Sequence, residues 1–155
     1  MRLYHATSVK NKETILKEGI LRNKPQNFDG ISMRGYIYFA FDAEAAISFV
    51  ESSDTFEGEE IVVFSVNSED LDLTRIAYDW NNRCEYESEI ISIAYDGNID
   101  PRCLSLLTKE EIERAVSREF SDLKHIDDSS RSIWEKVGSI FDEEVETNKE
   151  NPEIE

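Results

Sequence analysis

Cysteine is scarce: Cys84 and Cys103 stand in different segments, and neither belongs to a CxxC pair. A disulfide framework or a four-ligand zinc site needs more, so the pair reads as reduced thiols of a cytoplasmic protein. Long apolar runs are missing too, which excludes a membrane-spanning helix, and the first residues go straight into a strand-like segment without a signal-peptide pattern. Basic residues are outnumbered, 17 Lys and Arg against 34 Asp and Glu, for a formal net charge of -17. Such a field repels phosphate backbones and anionic lipid surfaces, and no Lys/Arg cluster offsets it. Extended nucleic-acid binding and membrane association are therefore disfavoured, while a basic partner remains open. There is no internal repeat.

What is present suits one domain with one core plus a tail, in 155 residues. Residues 2–5 predict a first strand. Asn11 is placed to cap a helix over residues 12–18, with Ile15 and Leu16 turned inward. Gly19 is the expected left-handed stop, and Ile20 folds back on Ile15 as in a Schellman ending. Residues 21–35 form a long polar loop holding Pro25, Gly30, Arg34 and Gly35, of a length often tied to function. Tyr36 to Phe41 is a central strand of aromatic and branched residues. Asp42 then caps a helix whose apolar face is Ala45, Ala46, Phe49 and Val50.

Ile61 to Val66 predicts a strand buried on both faces. Leu71 to Ala77 reads as a short extended piece, Tyr78 to Tyr86 as a polar and aromatic loop, and Ile90 to Tyr95 and Cys103 to Leu107 as the last strands. Thr108-Lys109-Glu110-Glu111 is a capping box opening one amphipathic helix. Ile133, Trp134, Val137, Ile140 and Phe141 mark a second. The expected organisation is a core over residues 1–107, a helical extension packed on it over 108–142, and an acidic disordered tail over 143–155.

Three side chains in chain order carry the chemistry: His5, Tyr38 and Glu89. An imidazole hydrogen-bonds ribose hydroxyls as donor or acceptor. An aromatic ring stacks on nicotinamide, and a fixed carboxylate offsets charge developing on a ribose during glycosidic cleavage. Leu-Tyr-His-Ala-Thr at 3–7, Ile-Leu-Lys-Glu-Gly-Ile at 15–20, Ile-Tyr-Phe-Ala at 37–40 with its helix, and Glu89-Ile90-Ile91 supply the pattern. In order and spacing these resemble the ADP-ribosyltransferase superfamily, in its His-Tyr-Glu branch of diphtheria toxin and the poly(ADP-ribose) polymerases. The resemblance covers roughly the first two-thirds of the chain.

The resemblance implies an α+β fold with a split β-sheet core, a helix between early strands and a C-terminal helical pair. It implies NAD as substrate, no metal, and mono-ADP-ribosyl transfer to an acceptor, a protein being favoured, with release of nicotinamide. His5 would contact the ribose hydroxyls, and Ala6, where the family usually has Gly, would bond the nicotinamide amide through its backbone, beside Thr7. Tyr38 would stack on the nicotinamide, and Phe49 stands where relatives carry the second ring. Ala46 replaces a serine that some relatives use, and Arg34 is placed for the pyrophosphate, as is Arg22. Both arginines also read as solvated surface residues. Glu89 would be the catalytic carboxylate, and Tyr78, Trp80, Tyr86 and Glu87 belong to the loop that meets the acceptor. Glu87-Ser88-Glu89 is similar to the Glu-x-Glu of arginine-modifying relatives, without their Arg and Ser-Thr-Ser signatures. Two other readings stay open: an RNA 2'-phosphotransferase-like enzyme, which shares the early His pattern but needs basic residues not evident here, and a non-catalytic acidic module that binds a protein partner. A third concerns Glu89 alone, since Glu85, Glu87 and Glu89 alternate as they would along a solvated strand face.

Overall fold

The computed structural model describes residues 1–22, 36–53, 56–79, 82, 85–86, 90–114 and 131–150, with residues 131–132, 134 and 144–150 described by backbone alone. The strands are β1 Arg2–Ser8, β2 Ile37–Ala40, β3 Ile61–Asn67, β4 Ile76–Ala77, β5 Ser92–Tyr95 and β6 Leu104–Leu106. The α-helices are α1 Lys12–Glu18, α2 Ala43–Glu51, α3 Lys109–Arg114 and α4 Arg131–Glu150. The fold is a mixed α+β arrangement around one antiparallel six-stranded sheet in the order β4-β5-β2-β1-β3-β6.

The sheet is unevenly joined. β1 pairs with β3 along its whole length, from Arg2 opposite Asn67 to Ser8 opposite Ile61. β2 pairs with β5 along its whole length as well, from Ile37 opposite Tyr95 to Ala40 opposite Ser92. Between β1 and β2, among the described residues, there is a single register pair, Tyr4 opposite Ala40. The sheet thus consists of two three-stranded halves, β4-β5-β2 and β1-β3-β6, meeting at one point.

Alternation sorts the side chains onto two faces. Leu3, Ile37, Phe39, Phe64, Val66, Ile76, Ile93 and Tyr95 share the first face, and α1 through Ile15 and α4 through Ile133, Val137 and Phe141 close over them. Phe39 and Phe64 are fully buried there, each contributing roughly 1.5–3 kcal/mol by removal from water. The second face carries Ala6, Ala40 and Val63, covered by Ala43, Ala46 and Val50 of α2 and by Leu107, with Ile112 of α3 against its edge. β3 is buried on both sides, as its near-continuous apolar run requires, with Val63, Phe64, Ser65 and Val66 all buried.

The structure corrects several sequence expectations. Leu16 is 46% exposed while Ile15 is buried, because a helix of two turns offers its core one narrow stripe and Ile15 takes it. Gly19 has φ 81 and ψ -168, so the ending is not a Schellman turn: its N–H donates to the Ile15 carbonyl at 2.8 Å. Ile20 pairs instead with Ile99, the two exchanging backbone bonds of 3.0 and 2.9 Å. The expected extended piece over residues 71–77 is interrupted by a 3-10 turn over Leu73–Arg75 and ends in the two-residue strand β4. α4 runs on to Glu150, through most of the stretch expected to be a disordered tail. Good helix formers carry it on past Phe141. The capping box is formed as expected: the Thr108 N–H donates to Glu111 Oε1 at 3.1 Å, and the Glu111 N–H to Thr108 Oγ1 at 3.2 Å.

Candidate functional site

His5 sits where the two half-sheets part. It belongs to β1 opposite Phe64 of β3, one residue past the pair that joins β1 to β2. Its ring meets Phe39 edge-on, with centroids 6.0 Å apart. Nδ1 lies 2.9 Å from the carbonyl oxygen of Tyr38, bridging from β1 to β2 where no register pair links them. A carbonyl oxygen only accepts, so Nδ1 carries the proton and a neutral ring presents Nε2 as an acceptor. Burial pushes the imidazole below its ordinary value, and the carbonyl bond offsets this in part. The ring is therefore neutral at pH 7.

Tyr38 alternates with buried Ile37 and Phe39, so its half-buried side chain leaves β2 toward the α2 side of the sheet. His5 shares the first face with Leu3 and meets Phe39, so imidazole and phenol leave the sheet on opposite faces and are linked through the Tyr38 backbone carbonyl. α2 begins directly after β2 because Asp42, in extended conformation, accepts a 2.7 Å bond from the Ala45 N–H. Glu44 lies in the positive first turn. Ala6, Ala40, Ala43 and Ala46 all belong to the cluster between α2 and the sheet, with Phe49 half-buried at its margin. Ala6 and Ala46 are therefore members of one packing layer. Their methyl groups fill the space between β1 and α2, and a change at one alters the surroundings of the other.

Thr7 Oγ1 accepts from Asn11 Nδ2 at 2.8 Å, which engages the threonine with the turn that follows β1. Arg22 is held at the base of the long 21–35 connection. Its guanidinium pairs with Asp96 at 2.6 Å, and its N–H donates to Asn98 Oδ1 at 2.9 Å. Its side chain is still 36% exposed, as a surface arginine is expected to be. Tyr78 packs against the first-face core, while Tyr86 is 64% exposed. Glu89, Glu87, Trp80 and Arg34 lie outside the described residues.

The connection into β5 holds a group that sequence reasoning missed. Asp79 is only 3% exposed and Ser92 only 4%. The Ser92 hydroxyl donates to Asp79 Oδ2 at 2.5 Å, and Asn82 Nδ2 donates to the same oxygen at 2.8 Å and to Ser92 Oγ at 3.2 Å. The Asn82 N–H closes a turn on the Asp79 carbonyl at 3.1 Å. One signal was available: a serine inside Ile90-Ile91-Ser92-Ile93-Ala94 is a polar group headed for a buried strand, which needs a partner.

Among the described residues no group of three or more His, Cys, Asp or Glu side chains is arranged to hold a metal ion, and no helix is long and apolar enough to cross a membrane. No protein-family model matches the chain, and no curated protein or solved structure matches it either.

Proposed function

We propose that this protein is an NAD-dependent mono-ADP-ribosyltransferase with a split-sheet core of the ADP-ribosyltransferase kind. The observation that carries the reading is His5: a neutral imidazole with a fixed tautomer, placed at the one point where the two half-sheets separate. NAD lies across that opening. Nε2 of His5 accepts from a ribose hydroxyl, Tyr38 and Phe49 hold the nicotinamide on the α2 side, and the backbone at Ala6 and Thr7 bonds its amide. Glu89 takes the 2'-hydroxyl and stabilises the cationic ribose. The bond from ribose C1' to the nicotinamide nitrogen breaks, with its electron pair leaving on neutral nicotinamide. The acceptor's nucleophilic atom bonds to C1' and gives up its proton.

A second reading is favoured by the methyl groups of Ala6 and Ala46 filling the layer between β1 and α2. In that reading the fold keeps no room for nicotinamide and serves as an acidic module for a protein partner. One experiment separates the two. Purified protein is incubated with NAD, with and without a cell extract as the source of acceptors, and free nicotinamide is measured. Release by the wild type that Glu89→Gln abolishes supports transfer. No release under either condition, with no NAD-induced shift in melting temperature, removes the transferase reading and leaves the binding module.

A further inference from the structure

Most of the polar groups that Asp79, Asn82 and Ser92 bring together have no part in the chemistry proposed above. They nonetheless occupy a decisive place. Ser92 is the first residue of β5 and lies opposite Ala40, the residue through which β2 touches β1. Asp79 ends the segment that follows β4. Between Asp79 and Ser92 the chain carries Trp80, Tyr86, Glu87 and Glu89. The carboxylate of Asp79 reaches across that whole interval to the Ser92 hydroxyl, so the two ends of the connection are fastened to each other. Its other end is held from β2 as well, since the Phe41 N–H donates to the Ile91 carbonyl at 3.0 Å and Ile90 is buried in the first-face core.

A carboxylate this buried stands only when its oxygens are hydrogen-bonded, and the interior strengthens such bonds relative to water. A purely structural closure of a surface loop has cheaper solutions, such as a backbone turn or an apolar contact. We infer that Asp79 is a positioning residue: with Ser92 and Asn82 it forms a buried clasp that fastens the two ends of the connection to each other, beside the Ala40 through which β2 touches β1. The inference rests on the transferase reading for its catalytic consequence, and on geometry alone for the anchoring. Removing the Ser92 hydroxyl loosens one end of the connection while leaving the NAD-contacting groups of β1, β2 and α2 in place.

The test compares wild type, Ser92→Ala, Asp79→Ala and Asp79→Asn. Nicotinamide release is followed across a range of NAD concentrations, and amide hydrogen exchange is followed without NAD. Ser92→Ala is expected to lower kcat for nicotinamide release about tenfold or more while KM for NAD moves less than about twofold. Asp79→Asn keeps an oxygen that accepts from Ser92, and so restores most of kcat relative to Asp79→Ala. Exchange is expected to rise in peptides covering residues 78–92 and to stay unchanged in those covering β1 and β3. Unchanged kcat in Ser92→Ala, unchanged exchange at 78–92, or an equal rise across β1 and β3, overturns the clasp. If wild type releases no nicotinamide, the transferase reading and the catalytic consequence fall together. The exchange measurement then decides the anchoring by itself.

Discussion

Nδ1 of His5 donates to the carbonyl of Tyr38 at 2.9 Å, joining two strands that come together at just one register pair among the described residues. The bond fixes which nitrogen carries the proton, and burial keeps the ring neutral. Stability should therefore depend on pH in a window set by this residue. In the unfolded chain the imidazole takes up a proton near pH 6.5, whereas in the folded chain it does so only at lower pH. Below about pH 6.5 the unfolded state binds more protons, so stability falls as pH falls through that window toward the folded value. Urea midpoints at pH 7.5 and 5.5 should drop more in wild type than in His5→Gln, which cannot titrate. Equal drops would show that the ring is not held neutral.

The carboxylates act lower on the scale. Hydrogen bonds from Thr74 hold Asp72 below its ordinary value, and Arg102 does the same for Asp100. Their contribution is present above the ordinary carboxylate range and is lost as pH falls through their lowered folded values. A titration of stability should thus show two steps, the upper belonging to His5.

Gly19 and Gly58 both have positive φ, 81 and 83, yet they should respond differently to alanine. A Cβ on Gly19 would stand 1.9 Å from the Ile99 carbonyl oxygen, whereas one on Gly58 meets nothing within 4 Å. Gly58→Ala is expected to cost about 1 kcal/mol, the left-handed strain alone. Gly19→Ala adds a backbone displacement at the Ile20–Ile99 pair, for a total on the order of 3 kcal/mol. Urea denaturation of the two variants checks the difference.

Asp42→Ala removes the side-chain cap of α2 and should destabilise the protein by about 1 kcal/mol, with Asp42→Asn recovering most of it. Thermal melts of the two variants test this. Because α2 covers Ala6 and Ala40, the alanine variant should also show faster amide exchange in β1 near Ala6.

α4 contributes to the core through Ile133, Val137 and Phe141. Phe141→Ala should cost about 3–5 kcal/mol. Ending the chain after Asp142 should cost less than about 1 kcal/mol, while circular dichroism registers the loss of the helix that continues to Glu150. A truncation as damaging as Phe141→Ala would mean that the last two turns pack on the core.

Features encoded within a few residues were legible in the sequence. Aromatic and branched residues ahead of Asp42 marked β2 and the start of α2, and the spacing of Thr108 and Glu111 marked the capping box. The run from Ile61 to Val66 marked a strand covered on both sides. What was not legible depends on segments distant in the chain. Nothing near Gly19 shows that Ile99 approaches it, so the end of α1 was read from local rules and came out as the wrong motif. Nothing near Ser92 names Asp79 as its partner. For the candidate site, the position of His5 on β1 was readable, but its bond to Tyr38 depends on how β1 and β2 diverge, which no local pattern records. Ala6 and Ala46 stood out singly, and only the packing of α2 on β1 makes them a pair.

The order of strands across the sheet has a consequence for how this chain folds. One three-stranded half takes the first, third and sixth strands and the other takes the second, fourth and fifth, so the polypeptide is braided between them. No cut in the sequence yields either half as a separate fragment, and neither is complete until nearly the whole core has been synthesised. Such distant pairings make for slow assembly relative to helical proteins of the same size. Fragments ending before β6 should accordingly remain protease-sensitive, however stable the finished protein is.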